Sequence, residues 1–340
     1  MTTKLKRDGL VLLGVLALCG MGIVLPDLLS PYLFLIIMYA GINVTLAVSL
    51  NLVNGITGQF SMGHAGFMAV GGYTAAYLST NYFMFAPMLG LPGGLGQAVL
   101  FGIALLAGGL VAALLGLLVG LPSLRLKGDY LAIVTLGFGE IIRVVILNID
   151  GVGGARGLPG IPKWTNFGWV YGTAFLSIVM IQRIMQSSHG RAFLAVREDE
   201  IAAEAMGINT TRYKVIAFAL GAFFAGVSGG LFAHFLTYLN PQTFDFNRSF
   251  EIIIMVVLGG MGSISGAVVA AIFLTCLREL LRPLQEITQV DLRMVIYSFL
   301  LIVLMLTRPS GFFGRREIYD YGIFRRFKKD PLKLGDVSDG

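Results

Sequence analysis

Eight apolar stretches mark candidate spans, of which only 129–149 carries more than one charged residue: 9–25, 32–53, 62–80, 96–121, 129–149, 168–186, 214–237 and 294–307. All but the last reach the length that crosses a hydrocarbon core. This feature fixes the solvent before anything else. Lipid cannot hydrogen-bond a backbone, so each segment must satisfy its own N–H and C=O groups, as a helix or in a closed barrel. The runs do not alternate in the short segments of barrel strands. Charged residues make up 13% of the 340 residues and apolar residues 56%. Soluble domains carry about 25% charged residues, so too few solvated side chains are present to cover a water-facing globule. The expected fold is all-α: a polytopic helical membrane protein of about eight spans.

A further segment, 251–277, does not read as one span. Its first part, "EIIIMVVL", is short; "GGMGSISG" (Gly259 to Gly266) follows, and then a longer apolar run. Basic residues decide how to count it, because they favour the cytoplasmic side. "PSLRLKGD" holds Arg125 and Lys127, the loop 187–213 holds Arg191, Arg197 and Arg212, and the tail from Arg308 onward holds eight Lys+Arg. The opposite connectors 81–95 and 238–250 hold only Arg248, while 150–167 dissents with Arg156 and Lys163. A broken or re-entrant 251–277 puts the tail and both termini on the cytoplasmic side. The expected organisation is a transmembrane domain over 1–307, with the loop 187–213 inside it, and a basic cytoplasmic tail over 308–340.

The net charge of +6 fits basic cytoplasmic edges and membrane lipid and gives no reason to invoke nucleic acid. Cys19 and Cys276 both sit in apolar runs and suggest packing, not a metal site or disulfide framework. Lys4, Lys6 and Arg7 before the first run mimic a signal peptide, but no A-x-A site follows, so the run reads as an uncleaved helix.

Two breaks interrupt the apolar runs. "GQFSMGHAG" (58–66) and "GGMGSISGA" (259–267) both place Gly, Ser and Met before small residues that lead into a helix. The span count puts the first near the inner face and the second near the outer face, the pattern expected of inverted repeats whose broken helices meet at a substrate path. Glycine permits unwound backbone, and N–H groups at a half-helix start attract a carboxylate. Close helix packing also uses glycine. Ser61, His64, Ser263 and Ser265 are the candidate path residues at the breaks. A histidine in such a turn also serves simply as a hydrogen-bonded structural residue.

Glu140 and Arg143, in "LGFGEIIRVVIL", share a helix face. They read either as a polar element of the path or subunit interface, or as a self-satisfied pair with Arg143 snorkelling outward. In the loop, "VREDEIAAEAMG" (196–207) reads as a short helix. Glu198, Asp199 and Glu200 suit its positive end, Gly207 its stop, and Ala202, Ala203, Ala205 and Met206 give it a partly apolar face. "GVSGG" (226–230) matches a hydrolase elbow only formally, since no strand precedes it. No catalytic or metal constellation emerges, and no phosphate loop is present, so ATP chemistry would belong to another chain.

Four blocks carry a resemblance: "LNLVNGITGQFSMGHAGFMAVGGYTAA", "LPSLRLKGDYLAIVTLGFGEIIRVV", "GRAFLAVREDEIAAEAMGIN" and "FEIIIMVVLGGMGSISGAV". Together, over about 32–307, they resemble the permease subunits of bacterial branched-chain amino acid ABC transporters, of the LivM type. Related permeases carry urea, short amides or other small solutes. The resemblance implies a non-enzymatic inner-membrane subunit paired with a LivH-like homologue, two cytoplasmic ATPase subunits that hold ATP and Mg, and a periplasmic amino-acid-binding protein. It makes the helix at 196–207 a coupling helix docked in an ATPase groove, with Arg191, Arg197, Glu198, Asp199, Glu200, Glu204 and Gly207 as its coupling residues. An autonomous channel or secondary carrier is the competing class. It would need its own ion site, and Glu140 is the one mid-span carboxylate that the expected spans offer.

Overall fold

The computed structural model describes residues 29–82, 93–123, 126, 128–281, 292–307, 311, 312 and 314. The expected span 9–25 with Cys19, the pair Arg125 and Lys127, and the basic run 325–329 lie outside the described residues. The described chain is helical, with one isolated bridge between Leu158 and Leu239.

Helix α1 (Pro31–Asn51) passes into a wider π turn (Leu52–Ile56), followed by α2 (His64–Tyr82), α3 (Gly93–Ser123), α4 (Asp129–Leu147) and α5 (Phe167–Met185). Two shorter helices, α6 (Ser188–Glu198) and α7 (Glu200–Ala205), lead into α8 (Thr210–Leu236). The broken segment is α9 (Phe246–Gly259) and α10 (Ile264–Leu280), and α11 is Leu292–Thr307. By length and composition, Pro31–Ile56, Gly96–Ser123, Asp129–Leu147, Phe167–Met185 and Thr210–Leu236 suffice to cross a membrane.

Ser30 and Pro31 start α1: the Ser30 hydroxyl accepts the Leu33 N–H, and proline occupies the first helical turn. The helix is apolar on every face, and every residue from Ala40 to Thr57 is buried. It is therefore the axis of the bundle, with α5, α8, α9 and α10 around it. On α3, Leu106, Leu110, Leu114 and Leu118 recur every fourth position and are all more than half exposed. Such a stripe suits lipid. The opposite face of α3 packs on α2 and α8.

The α2–α8 crossing is made by glycines. Gly71 lies against Gly226, and a Cβ on Gly229 would overlap the Met68 carbonyl. The stretch "GVSGGLFA" is thus a packing surface, and Ser228 donates to the Phe224 carbonyl within the helix (2.9 Å). Gly229→Ala is expected to destabilise the fold by about 1–3 kcal/mol, the usual cost of overpacking. Gly172→Ala, whose Cβ meets nothing within 4 Å, should be close to neutral. Thermal loss of monodisperse elution in detergent compares the two.

Cross-helix pairs order the two ends. Antiparallel α1 and α10 are tied by Tyr32 to the Glu279 carbonyl, Asn43 to Thr275 and Asn51 to the Ser263 carbonyl. Parallel α2 and α8 pair Gly71 with Gly226 and Ser79 with His234. One end, called the loop end below, therefore gathers Ile56–Gly63, residues 186–209 and Gly260–Ser263. The Phe312 N–H donates to the Leu258 carbonyl (2.9 Å), which brings the chain beyond α11 to the same end. At the far end, the bridge between Leu158 and Leu239 joins the loops 148–166 and 237–245.

This arrangement corrects one expectation. The second break does not sit at the face opposite the first. A helix of "EIIIMVVL" alone would be too short to return the chain, but α9 begins earlier, at Phe246, where Asp245 accepts the Arg248 N–H. The charges of Arg248 and Glu251 hid this extension from a hydropathy reading. Arg248 belongs to α9 and is buried, not part of a connector. The turn between α9 and α10 therefore reaches the loop end.

Candidate functional site

The two breaks form a single polar seam. A Cβ on Gly55 would overlap the Gly262 backbone nitrogen. Asn51 joins the segments twice: its Oδ1 accepts the Gly262 N–H (2.8 Å), and its Nδ2 donates to the Ser263 carbonyl (2.9 Å). Asn54 makes the same double clasp on Ser61, accepting its N–H and donating to its carbonyl, both at 3.1 Å. His64 is fully enclosed, with Nε2 2.8 Å from the Ser49 hydroxyl. Ser263 caps α10 by accepting the Gly266 N–H (3.0 Å) and lies 3.3 Å from the Ser265 hydroxyl. Ser61, His64, Ser263 and Ser265 thus belong to one region.

Several of the N–H groups expected to be free at the first break are already used. The Met62 N–H donates to Thr135 (3.0 Å) and the Ala65 N–H to Ser249 (3.2 Å). These bonds tie the first break to α4 and α9. The asparagines were visible as polar residues in an apolar run, but their roles depend on contacts far apart in sequence.

Arg197 inserts into this seam from the loop. Its Nη1 donates to the Gly55 carbonyl (3.0 Å), and its Nη2 bonds Glu198 (2.7 Å). Its stem lies on Gly58, whose φ of +70° and closeness to the Arg197 Cγ both favour glycine, and Gly262 faces the Nη1. One arginine therefore touches both breaks.

The helix expected over 196–207 is two helices. Asp199 is the cap between them: its Oδ1 accepts the N–H groups of Ile201 (2.9 Å) and Ala202 (3.1 Å). Glu198 closes α6, and α7 starts at Glu200. At its other end Gly207 takes φ +81°, and the Gly207 and Ile208 N–H groups return to the carbonyls of Glu204 and Ala203, a paired closure that a left-handed glycine permits. Glu200 and Glu204 turn toward α8, where Glu200 pairs with Lys214 (2.6 Å) and Glu204 accepts from Thr210 (2.6 Å). Ala203 is buried, whereas Ala202 and Ala205 are exposed and Ile201 and Met206 are 75% and 82% exposed. The result is an apolar knob on an internally braced base. Arg191 is exposed on α6.

Glu140 and Arg143 bond each other on α4 (2.7 Å) and are both half-buried. A second charged group was not foreseen. Glu251 Oε2 accepts from Arg248 (2.9 Å) and Arg278 (3.1 Å), with only 13% of the Glu251 side chain exposed. Arg248 also donates to Asn43 (2.7 Å), which in turn donates to Thr275 (2.9 Å). Glu251 is thus a carboxylate inside the bundle that the counting of spans missed.

The fold and this seam define a polytopic helical membrane protein whose broken helices meet beneath a braced surface loop. Residues 32–305 match the family described as "Branched-chain amino acid transport system / permease component", and the chain belongs to that family. It is 37% identical to the high-affinity branched-chain amino acid transport system permease protein LivM of Salmonella typhimurium (strain LT2), over 79% of this chain and 67% of that protein. The same figures hold for LivM of Escherichia coli (strain K12). LivH of Escherichia coli (strain K12), a permease protein of the same transport system by name, is 32% identical over 44% of this chain and 47% of its own length. No solved structure matches.

Proposed function

We propose that this chain is one membrane subunit of an ATP-driven importer of branched-chain amino acids, in the bacterial inner membrane, paired with a LivH-like homologue. The observation that carries the reading is the match to LivM across most of the chain. The likeness to LivH supports a homologous partner. Two ATPase subunits, holding ATP and Mg, dock at the loop end on the cytoplasmic side, and a binding protein delivers substrate at the far end. The exposed Ile201 and Met206 support α7 as the docking knob, since a helix this short is marginal alone in water. The internal bonds of Glu200 and Glu204 give those residues the task of bracing the knob, while Arg197 carries its position to the breaks. The Phe312 bond to the Leu258 carbonyl at the loop end supports a cytoplasmic side for the basic tail. Translocation is then a change between two packings of helices.

The test is uptake by proteoliposomes holding both permeases, the ATPases and the binding protein. ATP-dependent leucine uptake, competed by isoleucine and valine, is expected. Uptake of urea or a short amide in its place would reassign the cargo, and ion-driven uptake by this chain alone would remove the reading.

A further inference from the structure

A cleft between α1, α9 and α10 has two unlike walls. Asn43, Glu251, Thr275 and Arg278 form the polar one, and Ile254, Met255 and Leu274 the apolar one. Two guanidinium groups share a single oxygen of Glu251, so the cluster carries one positive charge more than it balances. Arg248 is 8% exposed, its Nε has no hydrogen-bond partner among the described residues, and its guanidinium stands 6.0 Å from the Phe232 ring. The Arg278 side chain, by contrast, is 37% exposed.

We propose that this cleft is a site for the zwitterion of a free aliphatic α-amino acid. Arg278 takes the carboxylate, Glu251 the ammonium, and Ile254, Met255 and Leu274 the side chain. The assignment rests on the branched-chain permease reading and adds to it a recognition site within this subunit. Charge conservation supports it. The ligand carboxylate replaces Glu251 as partner of Arg278, and the ligand ammonium replaces Arg278 on Glu251, so no buried charge is left alone. A simple anion would satisfy Arg278 but meet Glu251 unfavourably. In the described packing the cleft has room for about one water. Occupation therefore accompanies separation of α9 from α10, about the turn where Gly260 and Gly262 both hold positive φ.

The test measures radiolabelled L-leucine binding to the purified full complex with the binding protein omitted. Saturable binding is expected, displaced by isoleucine and valine. Leucinamide, which lacks the carboxylate, and 4-methylpentanoate, which lacks the ammonium, should not displace it. Arg278→Lys keeps the charge but loses the planar fork, and should weaken binding by about tenfold. Absence of binding, equal displacement by either analogue, or unchanged affinity in Arg278→Lys would overturn the site. ATP-driven leucine uptake by the same wild-type complex, reconstituted with the binding protein added back, separates the two claims: uptake without binding removes the cleft alone, whereas loss of uptake removes the permease reading and the cleft with it.

Discussion

Glu251→Ala is expected to destabilise the folded chain by about 3–5 kcal/mol, the cost of stranding a buried charge whose partner is removed. Two arginines lose their common acceptor at once, and Arg248, 8% exposed, has little water to turn to. The consequence should spread along the network, because Arg248 holds Asn43 and Asn43 holds Thr275, linking α9, α1 and α10. Thermal stability of the purified complex reads the effect. Replacing all three charges together, as Arg248→Met, Glu251→Leu and Arg278→Met, is expected to restore much of that stability, since burying an ion pair gains little over apolar packing. A stable Glu251→Ala protein would show that the cluster is well hydrated and that the two arginines do not need their shared acceptor.

Arg197→Ala is expected to leave a folded, assembled transporter that still hydrolyses ATP, while ATP-driven uptake falls by about tenfold or more. The lost contact is a charge-assisted bond, Nη1 to the Gly55 carbonyl (3.0 Å), worth about 1.5–3 kcal/mol. Its importance comes from position. Arg197 closes the loop against both breaks, and its stem fills the space over Gly58. Without it, motion of α7 has a weaker grip on the seam. Uptake and hydrolysis measured on one preparation distinguish slipping from simple inactivation, and coupled transport at the wild-type ratio would dismiss this role.

Helices were legible wherever an apolar run alone decided them, as in α1, α3 and α8. The stop at Gly207 was legible for a similar reason: a left-handed glycine is local chemistry. The start of α7 was read too early because three acidic residues in a row, Glu198, Asp199 and Glu200, all suit a helix start. Only the structure shows that Asp199 takes the cap while Glu198 finishes the preceding helix. The course of α9 was misread for a deeper reason. Arg248 and Glu251 look like surface charge until Arg278, 27 positions from Glu251, is found on the same carboxylate oxygen inside the bundle. Pairing across helices leaves no periodic trace in one sequence. The seam lay between these cases: its glycines and serines stood out, but that the two breaks touch follows from the direction of α9, which hydropathy had hidden.

The π turn at Leu52–Ile56 has a consequence for insertions and deletions. A helix with i→i+5 spacing carries a surplus residue relative to ordinary α spacing. Excising one residue there would let the ladder close with ordinary α spacing, and the turn would then present one fewer side chain to its surroundings. Asn54 and Gly55 could no longer both face their present neighbours. The segment is thus length-locked: its side chains tolerate exchange more readily than its residue count tolerates change.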